Sequence, residues 1–224
     1  MLTILAGGTA AAHEEIPEYE VFGGYSLLKL GASNKDIRGF QDGIYVVDVK
    51  WNNDNTSFFL KQGGTGSIAF NMNEYFSIVA DARYNQGDLI KGAFEFEYEL
   101  PIFETSIQVQ APFVIGVKNV SALAGPRFSL RKERTTAFFH ALAGLDYWRL
   151  NVNYTIAGEK WSDNAHQFGP GIAIGGGFDV NVNEKIAVRV IQADYYPTRQ
   201  LERWMNNVNL SFGIVFRVGE KVLR

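Results

Sequence analysis

His140 is the residue whose chemistry could most readily be catalytic. An imidazole can act as a general base toward a serine hydroxyl, and Ser121, Ser129 and Asp146 lie within twenty positions of it in the chain. A catalytic triad is defined by geometry rather than by sequence spacing, and no spacing here singles out such a set. We therefore predict a structural role for His140 and no catalytic residue.

Metal, phosphate and nucleic-acid chemistry have weaker candidates. The chain has no cysteine, and its other histidines, His13 and His166, fall in a terminal segment and a predicted loop, which argues against a histidine metal site. The glycines at 175–177 lie within a strand-like segment, whereas a phosphate-binding glycine loop precedes a helix. The 21 basic and 24 acidic side chains give a net charge of −3, so nucleic acid is not an expected partner. We predict no metal and no cofactor.

The segments that carry these residues have the period of a strand rather than that of a helix. Apolar side chains alternate with small or polar ones, which is typical of a strand with two different faces. The alternating segments are residues 19–30, 66–72, 76–84, 120–130, 137–148, 168–182, 186–196 and 208–218. The seventh segment is out of phase unless a β-bulge near Val190 brings Arg189, Gln192 and Asp194 to one face. The pattern predicts eight antiparallel strands.

The connections between the predicted strands alternate between short and long. Short turns are expected at residues 73–75, 132–134 and 183–185, and long connections at residues 31–65, 85–118, 149–167 and 197–206. Short turns on one side and long loops on the other are the layout of outer-membrane barrels. Within the two longest connections, residues 44–51 with 56–60, and residues 94–99 with 107–113, are expected to form hairpins above the membrane. If those hairpins crossed the bilayer, the barrel would have ten or twelve strands.

The less apolar faces of the strands carry ten ionisable side chains. They are Glu20, Asp81, Arg83, Arg127, His140, Asp146, Asp179, Arg189, Asp194 and Arg217. So many charges would be costly in the core of a soluble protein. The lumen of an eight-stranded membrane barrel can hold them as a structural salt-bridge network while apolar side chains face lipid. A gate in a small pore is a second interpretation, and a soluble lipocalin-like barrel with its polar faces in water is the alternative to a membrane protein.

Aromatic residues near the strand ends are expected to form interfacial girdles. They are Tyr19, Phe76, Tyr84, Tyr147, Trp148, Tyr195, Tyr196 and Trp204. Residues 1–12 are predicted to be a signal-peptide remnant, because a short apolar stretch leads to three alanines at 10–12. Residues 13–219 would form a single barrel domain and residues 220–224 a periplasmic tail.

Four segments carry a resemblance to a known family. They are VFGGYSLLKL, GPRFSLRKERTTAFFHALAGLD, GIAIGGGFDVNVNEKIAVRVIQADYYPTR and NNVNLSFGIVFRVG. Together they resemble the outer-membrane β-barrel domain of the OmpA/OmpX-like porin superfamily, closely over residues 119–219 and in outline over residues 19–83. The resemblance implies an eight-stranded transmembrane up-and-down β-barrel with a plugged lumen, inserted by the barrel-assembly machinery. One departure is that many such proteins end on an aromatic residue, whereas eight residues follow Phe216 here.

These observations predict an integral barrel of the bacterial outer membrane, surrounded by outer-membrane lipid, with both termini in the periplasm. Its expected role is structural, adhesive or partner-binding, through long extracellular β-hairpin loops at residues 31–65 and 85–118. Those loops would meet an extracellular partner or a second copy of the chain. A narrow passive porin and an outer-membrane lipid-modifying enzyme are the alternative functions.

Overall fold

The computed structural model describes residues 15–31, 60–100, 105–156, 158–200 and 203–222. Within these ranges the chain forms eight strands. They are β1 (Glu15–Lys29), β2 (Leu60–Asn71), β3 (Phe76–Leu100), β4 (Thr105–Lys132), β5 (Thr135–Ile156), β6 (Glu159–Asn181), β7 (Ile186–Gln200) and β8 (Arg203–Val222). Each pairs with the next in antiparallel register, and β8 pairs with β1, which closes the barrel. The predicted eight-stranded up-and-down barrel is confirmed. No helix in the described residues is long and apolar enough to span a membrane.

The outer face of the barrel is a continuous apolar band. On β3 it runs from Phe76 to Tyr84, and on β8 from Val208 to Val218, with exposed apolar side chains at alternate positions. These runs match the roughly nine to eleven residues that a tilted strand needs to cross the hydrocarbon of a bilayer. The alternation therefore places apolar side chains outside and polar ones inside, as a membrane barrel requires.

Two short turns at one end of the barrel are built in the same way. In the β2–β3 turn the side-chain oxygen Oδ1 of Asn73 accepts hydrogen bonds from the amides of Tyr75 (2.9 Å) and Phe76 (2.8 Å). In the β6–β7 turn Oδ1 of Asn183 accepts from the amides of Lys185 (2.9 Å) and Ile186 (2.7 Å). Asparagine favours such turns because its side chain can satisfy backbone donors two and three residues ahead.

Three of the four predicted long connections are mostly strand. Residues 85–118 extend β3 and β4, which remain paired as far as Leu100 and Thr105. The expected hairpin above the band is therefore present, as a continuation of the barrel wall that adds no further strand. Residues 149–167 and 197–206 were expected to be loops and instead continue β5 to β8, and Gly158 turns the β5–β6 hairpin with a φ of 85°. The hairpin expected within 31–65 lies outside the described residues, except where β2 begins.

The bulge expected near Val190 is confirmed. The register between β7 and β8 shifts between Arg189 and Gln192. Val190 and Ile191 are consequently both exposed on the outer face, and Arg189, Gln192 and Asp194 are all buried inside. One extra residue thus brings three polar side chains to one face of the strand.

The predicted girdle positions of Trp148 and Tyr196 were wrong. Trp148 and Tyr196, assigned to the aromatic girdle, are 6% and 1% exposed and point into the barrel. Each directly follows an outward-facing tyrosine, and adjacent strand residues face opposite ways. The predicted domain boundary at 219/220 falls inside β8, which pairs with the start of β1 through Val222 and Glu15. The segment 1–12 lies outside the described residues.

Candidate functional site

The barrel interior holds the side chains that the sequence singles out. Nine of the ten ionisable residues named above are buried there, and Arg217 is partly buried at one end. They separate into a cluster near the short turns, a central cluster, and a cluster around Asp146. Strands on opposite sides of the lumen contribute to the first two clusters.

The cluster near the short turns is centred on Glu20 of β1. The carboxylate of Glu20 pairs with Arg127 of β4 across the lumen, and Oε1 lies 3.1 Å from Nη2 of Arg131 and 3.9 Å from Nε of Arg217. Arg131 also donates to Oδ1 of Asn71 (2.9 Å). One carboxylate thus faces three guanidinium groups, and Glu20 is only 3% exposed.

The central cluster is a chain of hydrogen-bonded charges. Arg189 donates to both carboxylate oxygens of Asp179, at 2.8 and 3.1 Å, and to Oε1 of Gln192 at 2.7 Å. Gln192 in turn donates to Asp194 (2.9 Å), whose carboxylate lies 2.8 Å from Nη2 of Arg83. Each link satisfies a buried charge that would otherwise be costly to enclose.

The chain of charges continues beyond Arg83 and Asp194. Arg83 reaches Asp81 at 2.5 Å through Nε, and Asp194 lies 2.9 Å from Nε2 of His140. The guanidinium of Arg189 also lies between the rings of Phe22 and Phe138, 4.2 and 4.3 Å from their centroids. Ion pairs and aromatic faces together hold the central cations in place.

The third cluster is centred on Asp146, which is held by three neutral donors. Its carboxylate accepts hydrogen bonds from Nδ2 of Asn119 (2.6 Å), the hydroxyl of Tyr196 (2.6 Å) and the indole nitrogen of Trp148. Trp148 and Tyr196 use the polar tips of their rings in this way, which explains why they lie inside rather than in the girdle.

The arrangement around His140 is not that of a hydrolytic triad. Its imidazole contacts Asp194 of β7, whereas Asp146, the carboxylate considered from the sequence, is held by Asn119, Trp148 and Tyr196. No hydrogen bond joins the ring to Ser121 or Ser129 within the described residues. The part of the chain that the structure describes also contains no group of three His, Cys, Asp or Glu side chains arranged to hold a metal.

Apolar side chains fill the barrel beside Asp146. Leu28, Val79, Leu123 and Leu142 are each at most 3% exposed and belong to one packed cluster, together with Trp148 and Tyr196. The charged clusters occupy other parts of the lumen. The interior is therefore occupied by side chains, as expected for a narrow eight-stranded barrel.

Sequence reasoning missed Arg131 as a partner of Glu20. Arg131 lies in phase with Arg127 on β4, so the alternation places it on the inner face, but it is not among the ten ionisable side chains named above. The predicted network did not specify which charges pair, and the structure places Arg127 and Arg217 beside Glu20. Strand order alone does not determine which charges meet across the lumen.

One family model and several solved structures are similar to this chain. The model of a family described as "Outer membrane protein beta-barrel domain" matches residues 1–217. Ail, the attachment invasion locus protein of Yersinia pestis, solved with the heparin analogue sucrose octasulfate, is 13% identical, with a TM-score of 0.47 over 90% of this chain and 99% of that one. Neisserial surface protein A is 10% identical, with a TM-score of 0.45 over 91% and 99%. OprG of Pseudomonas aeruginosa is 8% identical, with a TM-score of 0.40 over 92% and 95%. Curated protein sequences give no match.

Proposed function

The chain belongs to the outer membrane protein β-barrel domain family, and from this premise we propose that it is a closed barrel whose projecting strands bind a partner outside the cell. Membership implies an integral protein of the outer membrane. The observation that carries the binding role is the unequal length of the strands. β3 to β6 have 22 to 28 residues each, whereas β1, β2 and β7 have 12 to 15.

The orientation that we propose follows from the connections. The turns at one end are short, and the strands at the other end extend well past the apolar band. In outer-membrane barrels the short turns lie in the periplasm and the larger structures outside the cell. Both termini would then be periplasmic, outer-membrane lipid would surround the apolar band, and the barrel-assembly machinery would insert the chain.

The projecting part of the wall is a sheet with open edges. β2 leaves β3 at the pair Gln62–Gln86, and β7 leaves β6 at the pair Gly171–Thr198. Beyond these points no described strand pairs with either edge, although the side chain of Lys61 donates to the backbone carbonyl of Asp88, and β3, β4, β5 and β6 stay paired with one another. Open edges carry unpaired backbone groups, which can bind an extended segment of another chain.

A shallow cavity of about 380 Å³ lies near the end of the projecting sheet. Phe113, Tyr154 and Trp161 line it, with Lys160 at its side. Aromatic side chains beside a cation are typical of residues that anchor protein partners. The projection thus offers both a binding depression and open strand edges, which supports adhesion or partner binding over a purely structural role.

Shortening the projection tests this proposal. In the shortened variant, an Asn-Gly turn links Gly87 to Val117, and the residues between them are removed. Gly87 and Val117 are paired across β3 and β4, so the new turn closes a regular hairpin. We expect bacteria displaying the full chain to be retained on immobilised extracellular-matrix proteins, or on cells displaying a second copy, and bacteria displaying the shortened chain to be released. Surface density would be matched with an epitope tag. Equal retention of both, or no retention beyond the empty host, would contradict the binding role.

The filled lumen separates this proposal from that of a passive porin. In planar bilayers we expect the purified barrel to give no stepwise conductance, because charged clusters and an apolar layer occupy the interior. Reproducible small steps would instead support a narrow channel.

We also propose no enzymatic activity, since the imidazole of His140 is held by Asp194 inside the barrel.

A further inference from the structure

Three basic residues form a row across the outer face of the projecting wall. Lys118 of β4 lies directly opposite Arg149 of β5, and Arg149 lies directly opposite His166 of β6. All three are exposed, whereas the next residues along the strands, Asn119 and Trp148, are buried inside. The row therefore points away from the lumen.

The row lies at the border of the apolar band. Two residues closer to the short turns, the same three strands carry Val120, Tyr147 and Phe168, which are again opposite one another and face outward. Phe168 is 68% exposed, and its ring lies 4.6 Å from that of Tyr147. The ring of Tyr147 also contacts His166, with 6.4 Å between centroids. The basic row is thus at the depth of the lipid headgroups.

The row carries uncompensated charge. Side chains directly opposite in an antiparallel pair have Cβ atoms about 5 Å apart, where like charges repel. Within the described residues, no carboxylate forms an ion pair with Lys118, Arg149 or His166. In the strand pairing, the nearest acidic residue on this face is Asp88, which lies opposite Gly116 one row farther from the short turns. The backbone carbonyl of Asp88 accepts a hydrogen bond from Lys61. A bound anion would relieve the repulsion.

We infer that Lys118, Arg149 and His166 bind the phosphate groups of an anionic lipid in the outer leaflet. The inference relies on the orientation in the proposed function. A lipid is favoured over a soluble polyanion because the row adjoins the aromatic border, so that acyl chains can lie on Val120, Tyr147 and Phe168 while the headgroup meets the cations. The guanidinium of Arg149 can bind phosphate in a bidentate manner.

The test compares two triple variants in detergent, where leaflet orientation has no influence, and the control removes at least as much positive charge as the first. One carries Lys118→Gln, Arg149→Gln and His166→Gln. The control carries Lys132→Gln, Arg134→Gln and Lys185→Gln, which are exposed residues at the short-turn end. The probe is diphosphorylated lipid A, with phosphatidylcholine and soluble pyrophosphate as comparison ligands, and native mass spectrometry measures the bound fraction.

We expect the first variant to bind lipid A about 25-fold more weakly than the unmodified barrel. The loss of each permanent cation, Lys118 and Arg149, should weaken the affinity about five-fold. The control variant should bind normally, and phosphatidylcholine should not respond to either change. Equal weakening in both variants would overturn the inference, as would pyrophosphate binding as tightly as lipid A. The lipid A measurement uses purified protein without cells or partners. Its result is therefore independent of whether the shortened variant loses adhesion.

Discussion

Replacing Glu20 with glutamine is expected to destabilise the barrel by about 3–5 kcal/mol, the usual effect of removing one member of a buried ion pair. The glutamine keeps the size of the side chain but removes the charge that faces Arg127, Arg131 and Arg217. Three guanidinium groups would then repel one another in a confined space. Urea unfolding of the barrel in phospholipid vesicles, followed by tryptophan fluorescence, measures the change.

The control for Glu20 is Glu184→Gln, in an exposed turn at the same end. We expect that substitution to leave the unfolding midpoint unchanged. A double variant carrying Glu20→Gln and Arg127→Gln should be less destabilised than the sum of its single variants, because it removes a cation together with its counter-charge. Strict additivity, or a Glu20 variant as stable as the control, would show that the cluster contributes no net electrostatic stabilisation.

The sequence predicts which side chains enter the lumen because strand geometry is local. Successive residues face opposite ways, so that Asp194 inside implies Tyr195 outside and Tyr196 inside. The wrong assignment of Tyr196 and Trp148 came from treating a position near a strand end as evidence for the girdle. Their hydroxyl and indole groups reach Asp146, a contact that depends on where the strands lie relative to one another.

The partners within the lumen could not be predicted for a different reason. Glu20 and Arg127 are on β1 and β4, and Arg83 and Asp194 are on β3 and β7, so each pair crosses the barrel. Which residues share a height depends on strand tilt and stagger, and these are properties of the closed barrel. Alternation reveals the set of enclosed charges, while closure decides their pairing.

The alternation of apolar and polar residues also did not predict the full length of β3 to β6. Above the band, β5 and β6 are largely polar on their outer faces, with Asn151 opposite Asn164 in one row and Asn153 opposite Ser162 in the next outward-facing row. Such a sequence is similar to that of a loop, because neither hydrophobic periodicity nor turn residues distinguish it. Pairing with neighbouring strands keeps it extended, and that pairing is not visible in any single segment.

Gly24→Val is expected to prevent the barrel from closing. Gly24 lies opposite Gly213 where β1 meets β8, on the inner face of the wall. A Cβ atom there would overlap the carbonyl oxygen of Phe212 and lie 2.7 Å from the ring of Phe22. The carbonyl belongs to the backbone of the closing strand, and the ring packs against Arg189, so neither can move aside without disturbing a contact that holds the barrel.

Gly23→Val is the matched control, because it adds the same side chain to the adjacent residue of the same strand. A Cβ atom at Gly23 would have nothing within 4 Å, and the residue is exposed on the lipid-facing side. Valine favours strands, so this variant should fold as well as the original chain. Gly24→Val should lose more than about 3 kcal/mol, beyond the usual cost of overpacking, and run as unfolded protein on unheated gels. If both variants folded with equal yield, close contact at this junction would not be what limits closure.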